Sequence, residues 1–332
     1  MRIVVLILSF LCLTTFVPGQ TPAESDDVIR VDADVTNLPF TATDKQRRFI
    51  TTLRAEDVRV LEDGTVQQLF TFQRETDRPL SLAFLIDVSD SEARTLPQEK
   101  AAARLFIEHV LKSRTDQAAI IPFGGSAFVE QDLTRNVINI YRALERVETS
   151  TNMYLGTGRR LTGIPTGPGL PAEPEDGSTA IWDAMALTST QILGRPSDGR
   201  RRAIILLTDG WDTTSRVSRT QAIYNVLAAE AVVYVIGIGD EKQDGVNQGT
   251  LRDIAERTGG RAFFPKKEAD LNKAFTEIEQ ELRTQYLIAY SSTNKNRDGS
   301  YRKLTIEITN PDLRREKIQL RHRPGYFATK RN

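Results

Sequence analysis

From Pro79 onward, apolar runs of strand length alternate with amphipathic runs of helix length, and this alternation constrains the fold more than any other feature of the chain. Strands are expected at Leu80 to Ile86, Gln117 to Pro122, Ala203 to Leu207, Ala231 to Ile238 and Arg261 to Phe264, with a short one at Phe128 to Leu133. Helices are expected over Leu96 to Leu111, Arg135 to Val147, Thr179 to Leu193, Arg219 to Ala229, Thr250 to Thr258 and Ala269 to Leu282. Strands that are apolar on both sides need cover on both faces, and right-handed crossovers through helices supply it. The pattern therefore predicts an α/β fold with a doubly wound, mostly parallel sheet.

The two ends follow a different pattern. Val28 to Val35 alternates with period two, as a half-buried strand does. Val58 to Leu61 and Val66 to Phe72 flank Glu62-Asp63-Gly64, and the Asp-Gly pair supplies the positive φ of a tight hairpin turn. Strand patterns return at Gln285 to Tyr290, Tyr301 to Ile308 and Lys317 to Arg321. Neither end has enough strands to cover its own edges. The N-terminal segment, residues 26–79, and the C-terminal segment, residues 284–327, are thus expected to pair into one small β module beside the α/β domain of residues 80–283. Within that domain, residues 149–177 form a long loop rich in Gly, Pro and Thr, which leads straight into Thr179.

Composition removes several function classes. Lys+Arg and Asp+Glu number 44 each, so no net field gathers nucleic acid or an anionic membrane. Cys12 is the only cysteine, and His109 and His322 are the only histidines, which leaves zinc sites and His-based triads without their residues. His109 lies on the stripe Ala102, Leu105, Phe106, His109, Val110 and reads as a core-edge residue, and His322, between Arg321 and Arg323, reads as surface. Met1-Arg2, the apolar run Ile3 to Val17 and Pro18-Gly19-Gln20 have the three regions of a secretory signal, residues 1–19. The run is short for a membrane span of about 20 residues. The mature chain is expected to be secreted or periplasmic, with neither a thiol nor a transmembrane anchor.

Two of the apolar strands stop at carboxylates. One ends Leu85-Ile86-Asp87-Val88-Ser89-Asp90-Ser91, the other Leu206-Leu207-Thr208-Asp209-Gly210. In open parallel sheets, ligands bind beyond the carboxyl ends of the strands where the strand order reverses. Asp87 and Asp209 side by side repel each other unless a cation lies between them, and Ser89 and Ser91 add neutral oxygens on one side of the turn. Only hard oxygen donors are on offer, which suits octahedral Mg²⁺ or Mn²⁺ rather than zinc or copper.

Asp87-x-Ser89-x-Ser91 after a strand, Gly177-Ser178-Thr179-Ala180-Ile181-Trp182-Asp183-Ala184 opening a helix, and Leu207-Thr208-Asp209-Gly210 ending a second strand together resemble the von Willebrand factor type A domain. The flanking β segments resemble those of a bacterial exported subfamily. The resemblance implies a metal-ion-dependent adhesion site with Ser89, Ser91 and Thr179 as hydroxyl ligands, and with Asp87 and Asp209 binding directly or through water. Asp90 stands where the family commonly has Gly, as does Ser178 beside the threonine.

Taken singly, Asp87 or Asp209 reads as a cap on a turn or helix start, and Asp212 as loop structure. The run Phe123-Gly124-Gly125-Ser126 has no following Lys and reads as a turn, not a phosphate loop. Glu173, Glu175 and Asp176 in the long loop are internal rivals for the sixth metal position. The expected function is a binding or adhesion module, not an enzyme, that takes a protein or peptide carboxylate through a Mg²⁺-type cation. A Mg²⁺-dependent hydrolase or phosphoryl-transfer enzyme is the alternative, but the chain lacks a second acid two residues after Asp87 and a nearby base. A structural envelope-assembly protein with a vestigial site is the third reading.

Overall fold

The computed structural model describes residues 35–74, 78–111, 115–149, 158–164, 178–194, 199–239 and 245–328. The expected signal, Cys12, all of the expected strand Val28 to Val35 except its last residue, and Glu173, Glu175 and Asp176 lie outside the described residues. Strands run in chain order as β1 (Val35–Thr43), β2 (Val58–Glu62), β3 (Thr65–Gln67), β4 (Leu69–Arg74), β5 (Leu80–Asp87), β6 (Gln117–Phe123), β7 (Phe128–Val129) and β8 (Gln131–Thr134). They continue as β9 (Arg159–Arg160), β10 (Arg201–Thr208), β11 (Ala231–Gly237), β12 (Ala262–Phe263), β13 (Tyr286–Ser291), β14 (Tyr301–Ile308), β15 (Gln319–His322) and β16 (Gly325–Phe327). Helices are α1 (Leu96–Val110), α2 (Val137–Arg146), α3 (Ile181–Leu187), α4 (Arg219–Ala228), α5 (Gln248–Thr258), α6 (Glu268–Thr284) and the short α7 (Pro311–Arg315).

The central sheet has the order β12-β11-β10-β5-β6-β8, parallel throughout except for β8, which runs antiparallel to β6. Every residue of β5 is buried, and its parity divides the core. Leu82, Phe84 and Ile86 pack with α1, α2 and α6, while Ala83 and Leu85 pack with α3, α4 and α5. Each large side chain buried this way contributes about 1.5–3 kcal/mol of transfer free energy. Parity also aims the strand ends. Asp87 continues the Ala83-Leu85 face and Thr208 the Ile204-Leu206 face, so both look toward the layer that holds α3. The pairing Leu207↔Ile86 puts Thr208 beside Asp87, where the chain crosses from one half of the sheet to the other.

The ends of the chain pair with each other. One antiparallel sheet has the order β15-β1-β13-β4 and another β16-β14-β2-β3. Leu38, Phe40, Val58, Val60, Tyr286, Ile288, Leu304 and Ile306 share one core between them. Phe40 stacks on Tyr286 with ring centroids 5.1 Å apart. The Asp63-Gly64 turn has φ values of 48° and 83°, the left-handed pair a two-residue hairpin requires. The hairpin holds only as far as Gln67, however. Leu69–Arg74 leaves β2 and pairs with β13 in the other sheet, which makes β13 a buried central strand.

Other expectations need correction. Phe128 to Leu133 is broken at Glu130, whose N–H donates to Ile120 O at 3.0 Å, so β7 and β8 pair with different strands. The helix expected from Thr179 starts at Ile181 and ends in a π-turn, Thr188–Leu193, where Ser189 and Thr190 hydroxyls donate back to the carbonyls of Met185 and Ala186. The core face of α1 is Ala102, Ala103, Phe106, Ile107 and Val110. Leu105 and His109 lie on its exposed side, with His109 Nδ1 2.7 Å from Leu105 O, so His109 is not a core-edge residue. His322 is half-buried rather than surface, and its Nε2 accepts the Ile306 N–H at 3.3 Å. Among the described residues no helix is long and apolar enough to cross a membrane.

Candidate metal centre

Asp87 closes β5 fully buried. Its Oδ1 accepts the Ser89 N–H at 3.0 Å and the Ser89 hydroxyl at 2.6 Å, and its Oδ2 accepts the Thr208 hydroxyl at 2.6 Å. Ser89 caps a single 3₁₀ turn, Asp90–Glu92, that carries Ser91 back to the same side, leaving the two serine oxygens 3.1 Å apart. Because Ser89 gives its proton to Asp87, the Ser91 hydroxyl is the donor between the two serines, and Ser89 faces Ser91 as an acceptor. Val88 N–H donates to Phe123 O at 2.9 Å and ties this turn to β6.

The second wall is a clamp between the start of α3 and the loop after β10. Thr179 N–H donates to Thr213 Oγ1 at 2.8 Å, and Thr179 O accepts the N–H groups of Thr213 and Thr214 at 2.8 and 3.1 Å. Asp212 Oδ1 accepts the Ile181 N–H at 2.8 Å and also the Ser215 hydroxyl, satisfying donors that a helix start leaves open. Asp183 returns the contact by accepting the N–H groups of Arg216 and Val217 at 2.9 and 3.0 Å. Thr179 is therefore positioned by its backbone, and among the described residues its hydroxyl makes no hydrogen bond. Ala180 N–H donates to Gly124 O at 2.8 Å, so the Phe123-to-Ser126 turn braces the site.

Asp209 is 6% exposed, and its Oδ1 accepts the Trp211 N–H at 3.0 Å. Between them Gly210 has φ +87°, and a Cβ there would stand 2.8 Å from Leu251 Cγ, so the turn admits glycine alone without movement of α5.

Burial pushes the Asp87 carboxyl up to about 7, Asp209's charge adds to the rise, and the Ser89 and Thr208 hydrogen bonds oppose it. Two further buried acids sit close by. Glu92 and Glu99 are 0% and 1% exposed, and burial raises both, with Glu99 pushing Glu92 further. Asp87 and Asp209 add to both shifts. This much buried acid calls for protons or for a cation. Among the described residues no group of three or more His, Cys, Asp or Glu is arranged to hold a metal, so a cation here must rely on hydroxyls. The donor set fits a hard one: cis ligands at octahedral Mg²⁺ distances lie about 2.9 Å apart, close to the Ser89–Ser91 separation.

Sequence reasoning did not find Thr208, Thr213, Glu92 or Glu99. The signal for Glu99 was present, since an acid three residues after Leu96 and four before Ala103 falls on the buried face of α1. Asp212, expected as loop structure, instead caps the start of α3 through the Ile181 N–H, next to the Thr213 and Thr214 contacts that hold Thr179.

A doubly wound sheet with acids and hydroxyls gathered at the carboxyl ends of its two central strands defines a class of ligand-binding α/β domain. The chain belongs to the von Willebrand factor type A domain family, matched by two models of that description over residues 82–163 and 171–278. Similar solved structures include a von Willebrand factor type A protein from Catenulispora acidiphila, 14% identical, covering 90% of this chain and 75% of that one at a TM-score of 0.46. The conserved hypothetical protein BatB from Bacteroides thetaiotaomicron is 21% identical over 61% of this chain and 97% of its own, at a TM-score of 0.45. Proximal thread matrix protein 1 from the mussel byssus, solved with a zinc-occupied MIDAS motif, is 18% identical over 67% of this chain and 50% of its own, at a TM-score of 0.48. This chain spans about half the length of the byssus protein. A search of curated proteins found no match. The family assignment rests on the sequence models.

Proposed function

We propose that the protein is an exported binding module whose crevice takes a carboxylate of a protein or peptide partner through a divalent cation, Mg²⁺ or Mn²⁺. Ser89, Ser91 and Thr179 would hold the cation through hydroxyls, and Asp87 and Asp209 directly or through water. The carrying observation is the buried Asp87 carboxylate drawing protons from Ser89 and Thr208 while Ser89 and Ser91 oxygens stand 3.1 Å apart. Bound there, the cation supplies positive charge and a position for an acidic group, the strongest kind of polar contact available to such a surface. Export rests on the composition of residues 1–19.

Mn²⁺ titration of wild type and Thr179→Ala tests this reading. Thr179 is fixed by its backbone, so the variant keeps its fold, with stability changed by about 1 kcal/mol, while Mn²⁺ affinity falls at least about tenfold. Equal Mn²⁺ affinity in the two proteins contradicts it.

A further inference from the structure

Trp211 is one of two tryptophans in the chain and is 44% exposed, although it follows the buried Asp209 by two residues. Its ring is held, not trailing. The main-chain N–H is fixed to Asp209 Oδ1 at 3.0 Å, and the indole N–H donates to Gly245 O at 3.2 Å. Gly210 before it is locked in the left-handed region against Leu251, so the direction in which Trp211 leaves the strand end is set. The segment that receives the indole is itself anchored to the site, since Asn247 N–H donates to Asp209 O at 2.8 Å. Nothing in the core requires this ring. Preorganised indoles at the edge of a polar centre are what binding hot spots are built from, because they add apolar contact at little entropic cost and keep water from the central polar pair.

We propose that Trp211 sets specificity, selecting partners in which the metal-seeking carboxylate is adjacent in sequence to a bulky apolar side chain. The proposal rests on the cation-site reading above. A carboxylate alone does not distinguish one acidic residue from another, whereas a neighbour seated on the indole does. A basic neighbour would also be attracted to the ring face, but it would have to approach a divalent cation, which repels it. An aromatic or aliphatic neighbour meets the indole without that penalty and dries the cation–carboxylate contact.

The test uses the full chain in Mn²⁺ and three probes, the acetylated and amidated tetrapeptides Ala-Asp-Phe-Ala, Ala-Asp-Ser-Ala and Ala-Asp-Arg-Ala, titrated calorimetrically against wild type, Trp211→Ala and Trp211→Phe. Wild type is expected to prefer the Phe peptide over the Ser peptide by at least about fivefold, a preference that Trp211→Phe retains and Trp211→Ala loses. In a Trp182→Phe background, where Trp211 is the only indole, the Phe peptide should shift the emission to the blue and the Ser peptide should not; this readout does not depend on how the alanine variant folds. A preference that survives in Trp211→Ala, a stronger preference for the Arg peptide, or an emission unchanged by the Phe peptide overturns the proposal. Mn²⁺ titrated alone into wild type reads the underlying site separately. Failure to bind it, or peptide binding that persists in chelator, removes the cation reading itself, whereas Mn²⁺-dependent binding indifferent to Trp211 removes only the specificity role.

Discussion

Thr208 on β10 donates its hydroxyl to Asp87 on β5 at 2.6 Å, joining the two central strands of the sheet at their carboxyl ends. Gly210 N–H in turn donates to Thr208 Oγ1 at 3.2 Å, so one hydroxyl organises both the aspartate of the first strand and the turn after the second. Thr208→Val keeps the shape and removes the hydroxyl. Leaving one oxygen of a buried carboxylate without its donor should cost about 1–3 kcal/mol in urea unfolding of the metal-free protein. Mn²⁺ affinity should fall as well, because Asp87 loses its orientation. A variant as stable as wild type would show that the cross-strand tie is dispensable.

The β module contains a buried ion pair. Glu62 and Arg302 side chains are 2% and 3% exposed and 3.1 Å apart, and the Glu62 carboxylate also accepts the hydroxyls of Tyr290 at 2.8 Å and Tyr326 at 3.0 Å. These residues come from β2, β13, β14 and β16, so the network joins both sheets. Arg302→Met strands the Glu62 charge and should destabilise the protein by about 3–5 kcal/mol, and adding Glu62→Gln should recover part of the loss. Denaturant unfolding of the single and double variants measures both, and a loss below about 1 kcal/mol in the single variant would contradict the assignment.

Glu281 on α6 is 2% exposed. Burial pushes its carboxyl up to about 7 against the opposing charges of Arg321 and Arg261, with Glu277 adding to the rise. Since the folded value lies above the ordinary carboxylate value of 4.5, the folded state holds this proton where the unfolded chain has released it. The contribution is fully present below about pH 4.5 and is lost as pH rises through about 7. Urea midpoints of wild type and Glu281→Gln across that window should differ in slope, the wild type falling more steeply. Asp87, Glu92 and Glu99 titrate with the same sign in both proteins, so the difference isolates Glu281. Parallel pH profiles would contradict the shift.

The central sheet was legible in the sequence because a strand buried on both faces needs a continuous apolar run, and few other structures do. The strand-end aspartates were legible because a carboxylate ending such a run needs a reason. The split of the N-terminal hairpin at Gln68 was not, since a period-two pattern looks the same whether the strand stays with β2 or crosses to β13. The apolar stripe of α1 is right at Ala102, Phe106 and Val110 but borders them on the wrong side: Ala103 and Ile107 complete the buried face, where Leu105 and His109 are expected. Thr208 and Thr213 passed unnoticed because a threonine's role depends on what lies opposite it, which is tertiary information. Glu92 and Glu99 were hidden by the expectation that acids face water, which the site reverses.

Diffraction from Mn²⁺-soaked crystals at the manganese absorption edge reaches the metal centre most directly. A cation held by this constellation gives a single anomalous peak within about 2.0–2.3 Å of Ser89 Oγ and Ser91 Oγ, with Thr179 Oγ1 in the same coordination sphere, and the peak is lost in Thr179→Ala. An anomalous map with no peak at the ends of β5 and β10, or a peak elsewhere on the molecule alone, would contradict a metal-dependent binding site.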